Sequence, residues 1–194
     1  MSSNINAAIP PLGAATTSGV RANFSAAKTE IEALQTRTGF VDYNDLTTST
    51  TPIAVAASTW TKLTNDKAGA NTKIDALPSG VTSVWNTTTN QLDLSQLPIN
   101  TTVEIRADIV VTTTSANQIV KTDIRLGIGS GIEFTLENSE TQFKTAGAHK
   151  MVVMSGFYIG SSTVRTTPGE LRIWSDATAS VKVNGWYIRI VKAL

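Results

Sequence analysis

The sequence predicts a mainly β protein: an antiparallel jelly-roll sandwich preceded by a short N-terminal α-helix and an extended arm. Three observations lead there. In TTVEIRADIVV, Val103, Ile105, Ala107, Ile109 and Val111 share one face while Glu104, Arg106 and Asp108 share the other, the two-residue period of a half-buried strand. Further short strand-like runs follow down to Leu194 at a spacing near ten residues, with no convincing helix between them, as in sandwiches and barrels. Near the N-terminus the period differs: Val20, Phe24, Ala27, Ile31 and Leu34 are spaced alternately by four and three, as heptad a and d positions are.

Residues 1–16 carry Pro10-Pro11 and small side chains, so an extended arm without a self-complementary apolar face is expected. Thr17 or Ser18 is a plausible N-cap, and the helix is expected to run on towards Gly39 as its C′ residue. Its apolar seam has two readings, a homotypic bundle or an amphipathic helix packed on the chain's own β-domain. Two to three heptads are marginal alone in water, so a bundle would need a stronger trimerising unit or a host particle. FVDYNDLTTSTTP, residues 40–52, reads as a Thr-rich linker closed by proline. The organisation expected is thus an arm and helix over 1–39, a linker over 40–52 and a β-knob over 53–194.

Beyond Val103 to Val111, strands are expected around Val120 to Leu126, Ile132 to Leu136, MVVMSGFYI, ELRIW and VKVNGWYIRIV. Breaks are expected at Thr113 to Asn117, Gly127 to Gly131, Asn138 to Gly147, Gly160 to Gly169 and Ser175 to Ala179.

Composition narrows the function. Charged residues make up 16%, with 16 Lys plus Arg against 15 Asp plus Glu, so there is no electrostatic footprint for nucleic acid or an anionic membrane. With no cysteine and one histidine, His149, thiolate chemistry is absent and imidazole chemistry nearly so; no catalytic residue, metal ligand or cofactor is expected. The N-terminus lacks the basic and apolar regions of a signal peptide, and no run approaches the roughly 18 apolar residues that span a bilayer. Gly127, Gly129 and Gly131 read as an inter-strand turn rather than a phosphate loop, because a strand and not a helix follows. Glu137 and Glu140 read as solvated loop carboxylates rather than an acid/base pair. Among the tryptophans, Trp85 lies in the loop-like SVWNTTTNQ and is the candidate for ligand contact, since flat aromatic faces stack on sugars. Trp186 alternates with Ile188 and Ile190 and reads as a core or trimer-facing residue.

PPLGAATTSGVRANFSAAKTEIEALQ resembles the opening segment of many small virion proteins of tailed bacteriophages, in which a Pro-rich arm and short helix attach a fibre to the particle. WTKLTNDKAGANT, VWNTTTNQLDLSQLPINTTVEIRADIVVTTTSANQ and GWYIRIVK resemble phage knobs with a tumour-necrosis-factor-like trimeric jelly roll. The resemblance implies a homotrimer, made in the host cytoplasm and carried on the virion, with Trp186, Tyr187 and Ile188 as candidate interface residues. It implies attachment to capsid or to tail and connector proteins through residues 1–39. A structural, non-enzymatic fibre, knob or decoration is the first expectation. A host-surface adhesin that binds bacterial glycan is the second, and a polysaccharide-degrading enzyme is disfavoured by the absence of a clustered carboxylate pair.

Overall fold

A computed structural model describes residues 17–35 and 37–193, without the side chains of residues 33–35. The expected arm at 1–16 and the seam side chain of Leu34 lie outside these described residues.

Helix α1, Thr17–Gln35, carries the seam, and a Lys28–Glu32 pair one turn apart spans 3.7 Å on its exposed surface. It ends before the expected Gly39, which instead lies in strand β1, Thr38–Asn44. A Cβ on Gly39 would stand 2.3 Å from the Ala76 carbonyl oxygen, so the close approach of another segment requires glycine here. β1 also corrects the expected linker at 40–52. Val41 and Tyr43 are fully buried in the core while Phe40 and Asp42 face outward, and the whole strand pairs with the far end of the chain, Thr38 opposite Val191. A one-turn helix, α2 (Thr47–Thr50), and strand β2 (Ile53–Val55) complete that stretch.

Next come β3 (Thr61–Lys62) and the small hairpin of β4 (Trp85–Asn86) and β5 (Gln91–Leu92). The long strands are β6 (Thr102–Thr113), β7 (Gln118–Leu126), β8 (Phe134–Phe143), β9 (Gly147–Tyr158), β10 (Glu170–Ser175) and β11 (Ala179–Val191), with a five-residue helix, α3 (Ser162–Thr166), between β9 and β10. One sheet runs β1-β11-β6-β9, with β2 also on β11, and the other runs β3-β10-β7-β8. All of these pairs are antiparallel, and successive long strands β6 to β11 alternate between sheets except at β7–β8, which is a jelly-roll path. The turn at Gly127, Gly129 and Gly131 has φ of +77°, +78° and +76°, and the chain enters β8 from it. β8 continues beyond the break expected at Asn138: Thr122 pairs with Ser139 and Asp123 with Glu137, so Asn138 is the extra residue of a β-bulge.

The inward faces of both sheets build one core from Val103, Ile105, Ile109, Val120, Ile124, Leu126, Ile173, Val181, Val183, Trp186 and Ile188. Val84, Trp85, Leu92, Leu94 and Leu97, from the strand-poor segment before β6, pack into the same core.

Candidate functional site

Alternation along the strands decides where each candidate side chain stands. Trp186 and Ile188 point inward and are buried in the subunit's own core, so neither is available to a neighbouring chain; only Tyr187 faces out. Adjacent strand residues occupy opposite faces, and the three expected interface residues are split for that reason. Trp85 is 1% exposed: its Nε1 donates to the Asn65 carbonyl (2.9 Å), and its ring meets Trp186 edge-on at 5.7 Å. It is a core anchor, which removes it as a ligand contact.

On α1 the seam behaves differently. Phe24 is 72% and Ile31 54% exposed, while Val20 and Ala27 are half-buried. The β-domain does not cover the two large apolar side chains.

The outer face of the β1-β11-β6-β9 sheet is a second apolar surface. Phe40 and Tyr187 stack at 5.5 Å, and Val152, Met154 and Tyr158 stand exposed on β9. Arg106 bonds Asp108 (2.9 Å) and Arg189 bonds Glu104 (3.0 Å) among them. Burial pushes the Asp42 carboxyl above its ordinary range, as does the Asp108 charge, against the lowering effect of Arg106. Where β8 and β9 meet, Ile132, Phe134, Leu136 and Tyr158 line a cavity of about 560 Å³.

The outer face of the β3-β10-β7-β8 sheet is built from crossed charges and two indoles. Asp123, 1% exposed, receives two bonds from Arg172, Nε at 2.9 Å and Nη2 at 2.6 Å. The Arg172 guanidinium in turn lies 5.0 Å from the Trp60 ring centre. One row away, Lys121 bonds Glu140 (2.8 Å) and sits 5.5 Å from the Trp174 ring centre. Lys62 reaches Glu170 (3.6 Å), and Arg125 pairs with Glu133. The Gly129 amide and Arg125 hold the Glu133 carboxyl below its usual range. Trp60, 37% exposed, lines a cleft of about 280 Å³ together with Lys121 and Thr122 of β7 and the bulge residues Glu137, Asn138, Ser139 and Glu140 of β8. Glu137 and Glu140, expected as loop carboxylates, are therefore strand residues on this face.

His149 stacks on Phe143 at 4.2 Å and its Nε2 lies 2.9 Å from the Thr145 carbonyl oxygen, a local strand-edge contact. Among the described residues no group of three or more His, Cys, Asp and Glu is placed to hold a metal ion, and no helix is long and apolar enough to cross a membrane.

No protein-family model matches this chain, and no curated protein does. Among solved structures, similar chains include one from the structure of infectious bursal disease virus Gx strain, with 11% identity, TM-score 0.43, and coverage of 80% of this chain and 32% of that one. The PRD1 vertex protein P5 has 15% identity, TM-score 0.36, and coverage of 82% and 98%. Eiger TNF from S. frugiperda has 10% identity, TM-score 0.42, and coverage of 81% and 94%. The chain thus spans about a third of the length of the first of these. All three superpositions are partial, and the jelly-roll assignment rests on the strand pairing itself.

Proposed function

We propose that this chain is a non-enzymatic structural virion protein of a tailed phage, a short trimeric fibre or decoration anchored through its N-terminal region and displaying the β-domain outward. The observation that carries the reading is the uncovered seam of α1, with Phe24 and Ile31 exposed directly ahead of a β-domain that has its own apolar outer face. Two apolar surfaces on one chain favour association over isolation in water. A short a/d seam would supply an axis, and about a three-fold axis the β1-β11-β6-β9 face of one subunit would meet the β8–β9 mouth of the next head-to-tail. Placement on a phage particle rests on the resemblance of the arm, helix and knob segments, with capsid or tail and connector proteins as partners.

Light scattering on the full chain is expected to return about three times its 20.6 kDa mass. A stable monomer at micromolar concentration would overturn the reading. Truncation should stop at residue 36, which spares β1, and is expected to leave a folded knob that no longer enters particles. A host-surface glycan adhesin is the second reading, favoured by the cleft beside Trp60 rather than by Trp85.

A further inference from the structure

We propose that the cleft between Trp60 and the β7–β8 bulge binds a neutral pyranose unit of a glycan. The inference deepens the adhesin reading and rests on the β-domain being displayed with this sheet face outward.

The cleft combines the two surfaces a sugar ring presents. A pyranose has an apolar C–H face and a rim of hydroxyl groups, and here one cleft is lined by both an indole and polar side chains. The plate is preorganised. Arg172 holds one side of Trp60, and Arg172 is itself fixed by both of its bonds to the buried Asp123. A ligand stacking there therefore has little side-chain freedom to freeze out.

The polar lining is equally fixed, because it is backbone-bulged rather than carried on a loop. The register slip at Asn138 leaves that residue without a partner on β7 and places Glu137, Asn138 and Ser139 in succession along the cleft. Bulges re-aim side chains in this manner beside binding sites. Glu140 is engaged by Lys121, whereas Glu137 is in no ion pair among the described residues, which leaves its carboxylate as an acceptor for sugar hydroxyls. The Asn138 carboxamide adds a donor and an acceptor.

Charge selects the class of sugar. Lys121 set against Glu137 and Glu140 leaves the lining with one net negative charge, which opposes sialic or uronic acids and phosphorylated sugars. At about 280 Å³ the cleft suits one sugar unit of a longer chain rather than a whole oligosaccharide.

The test is retention of the full chain on an array bearing neutral hexose and N-acetylhexosamine polymers beside sialylated and uronic-acid polymers. Binding to a neutral polymer is expected, reduced at least tenfold in Trp60→Ala and several-fold in Glu137→Gln, and largely kept in Trp60→Tyr. No retention on any neutral polymer, selective retention on the acidic ones, or equal retention by wild type and Trp60→Ala would each overturn the proposal. Should Trp60→Ala fail to fold, Glu137→Gln and Asn138→Ala carry the same test from the polar lining. Light scattering on the same samples separates the two readings: an intact trimer that ignores neutral glycans defeats this inference alone, and a monomer that binds them defeats the trimer alone.

Discussion

The two outer faces of the sandwich are made by the same alternation of side chains, yet they differ in kind. On the β1-β11-β6-β9 side, Phe40, Val152, Met154, Tyr158 and Tyr187 stand in solvent around two exposed ion pairs. On the β3-β10-β7-β8 side, cations bridge strands to carboxylates and lie against Trp60 and Trp174, with one pair, Asp123 and Arg172, withdrawn from water. The inward faces share one core, Trp186, Tyr43 and Phe157 among Val and Ile on one sheet, Leu126, Leu171 and Ile173 beside buried Gln118 and Thr122 on the other. The outward positions differ more, because packing leaves the choice of residue open there: one face keeps exposed apolar side chains, the other pairs most of its charges and keeps a cleft.

The largest effect should come from breaking the withdrawn pair. Asp123→Ala leaves the Arg172 charge poorly compensated and is expected to destabilise the β-domain by about 3–5 kcal/mol, read by denaturant unfolding. An equally small loss for Asp123→Ala and for a change at an exposed pair would erase the contrast between the faces.

The apolar face and the seam should respond in assembly rather than in stability. Met154→Lys, at a residue 72% exposed, is expected to shift the full chain from the proposed trimer towards monomer while its melting temperature stays within a few degrees. Phe24→Asp should abolish attachment and leave the knob's melting unchanged, because Phe24 is largely exposed rather than buried in the domain's core. If Phe24→Asp destabilised the domain as much as Ile109→Asp, the seam would belong to the domain's own core.

A smaller effect is expected at Asp66. Burial raises its carboxyl, but bonds from the Thr47 hydroxyl and the Ala68, Leu46 and Thr47 amides outweigh burial and hold it at about 2, below the ordinary 3.8. A depressed folded pKa stabilises fully above the ordinary value and loses that contribution as pH falls from near 4 towards 2. Asp66→Asn should cost about 1 kcal/mol at neutral pH and flatten the acid limb of the stability profile in that window. The smallest change belongs to Glu104→Ala, whose pair with Arg189 is half-exposed on both sides: within about 0.5 kcal/mol.

How much of this was legible in the residues follows from how local each signal is. The strand at Val103 to Val111 announces itself because every second side chain is apolar and its neighbours are charged. β1 escaped notice because only Val41 and Tyr43 carry the period, in a stretch whose threonines resemble a linker; its partner lies at the other end of the domain. The phase at Trp186, Ile188 and Ile190 is legible and holds as core, whereas the expected interface took three consecutive residues, Trp186 to Ile188, which alternation places on opposite faces. The bulge between Val183 and Gly185 moves the inward positions from odd to even, burying Trp186 and Ile188 and turning Tyr187 out. Trp85 looked like a loop residue, but Val84, Leu92 and Leu94 share its burial. Trp60 is one of four tryptophans with recognition value in sequence, but nothing local sets it apart from the others, since its setting depends on Arg172 and Asp123, both distant in sequence.

Strand β11 holds β1, β2 and β6, three elements that all precede it in the chain. During synthesis the emerging polypeptide therefore carries these strands unpaired on that side until residues 179–191 leave the ribosome. At about 5–20 residues per second, the wait from Asn44 to Ala179 lasts on the order of ten seconds. Throughout that interval α1 is already outside and free to meet the α1 of a neighbouring nascent chain. In the proposed trimer, partner choice would thus precede closure of the sandwich, with polysome spacing rather than diffusion of finished subunits setting which copies come together.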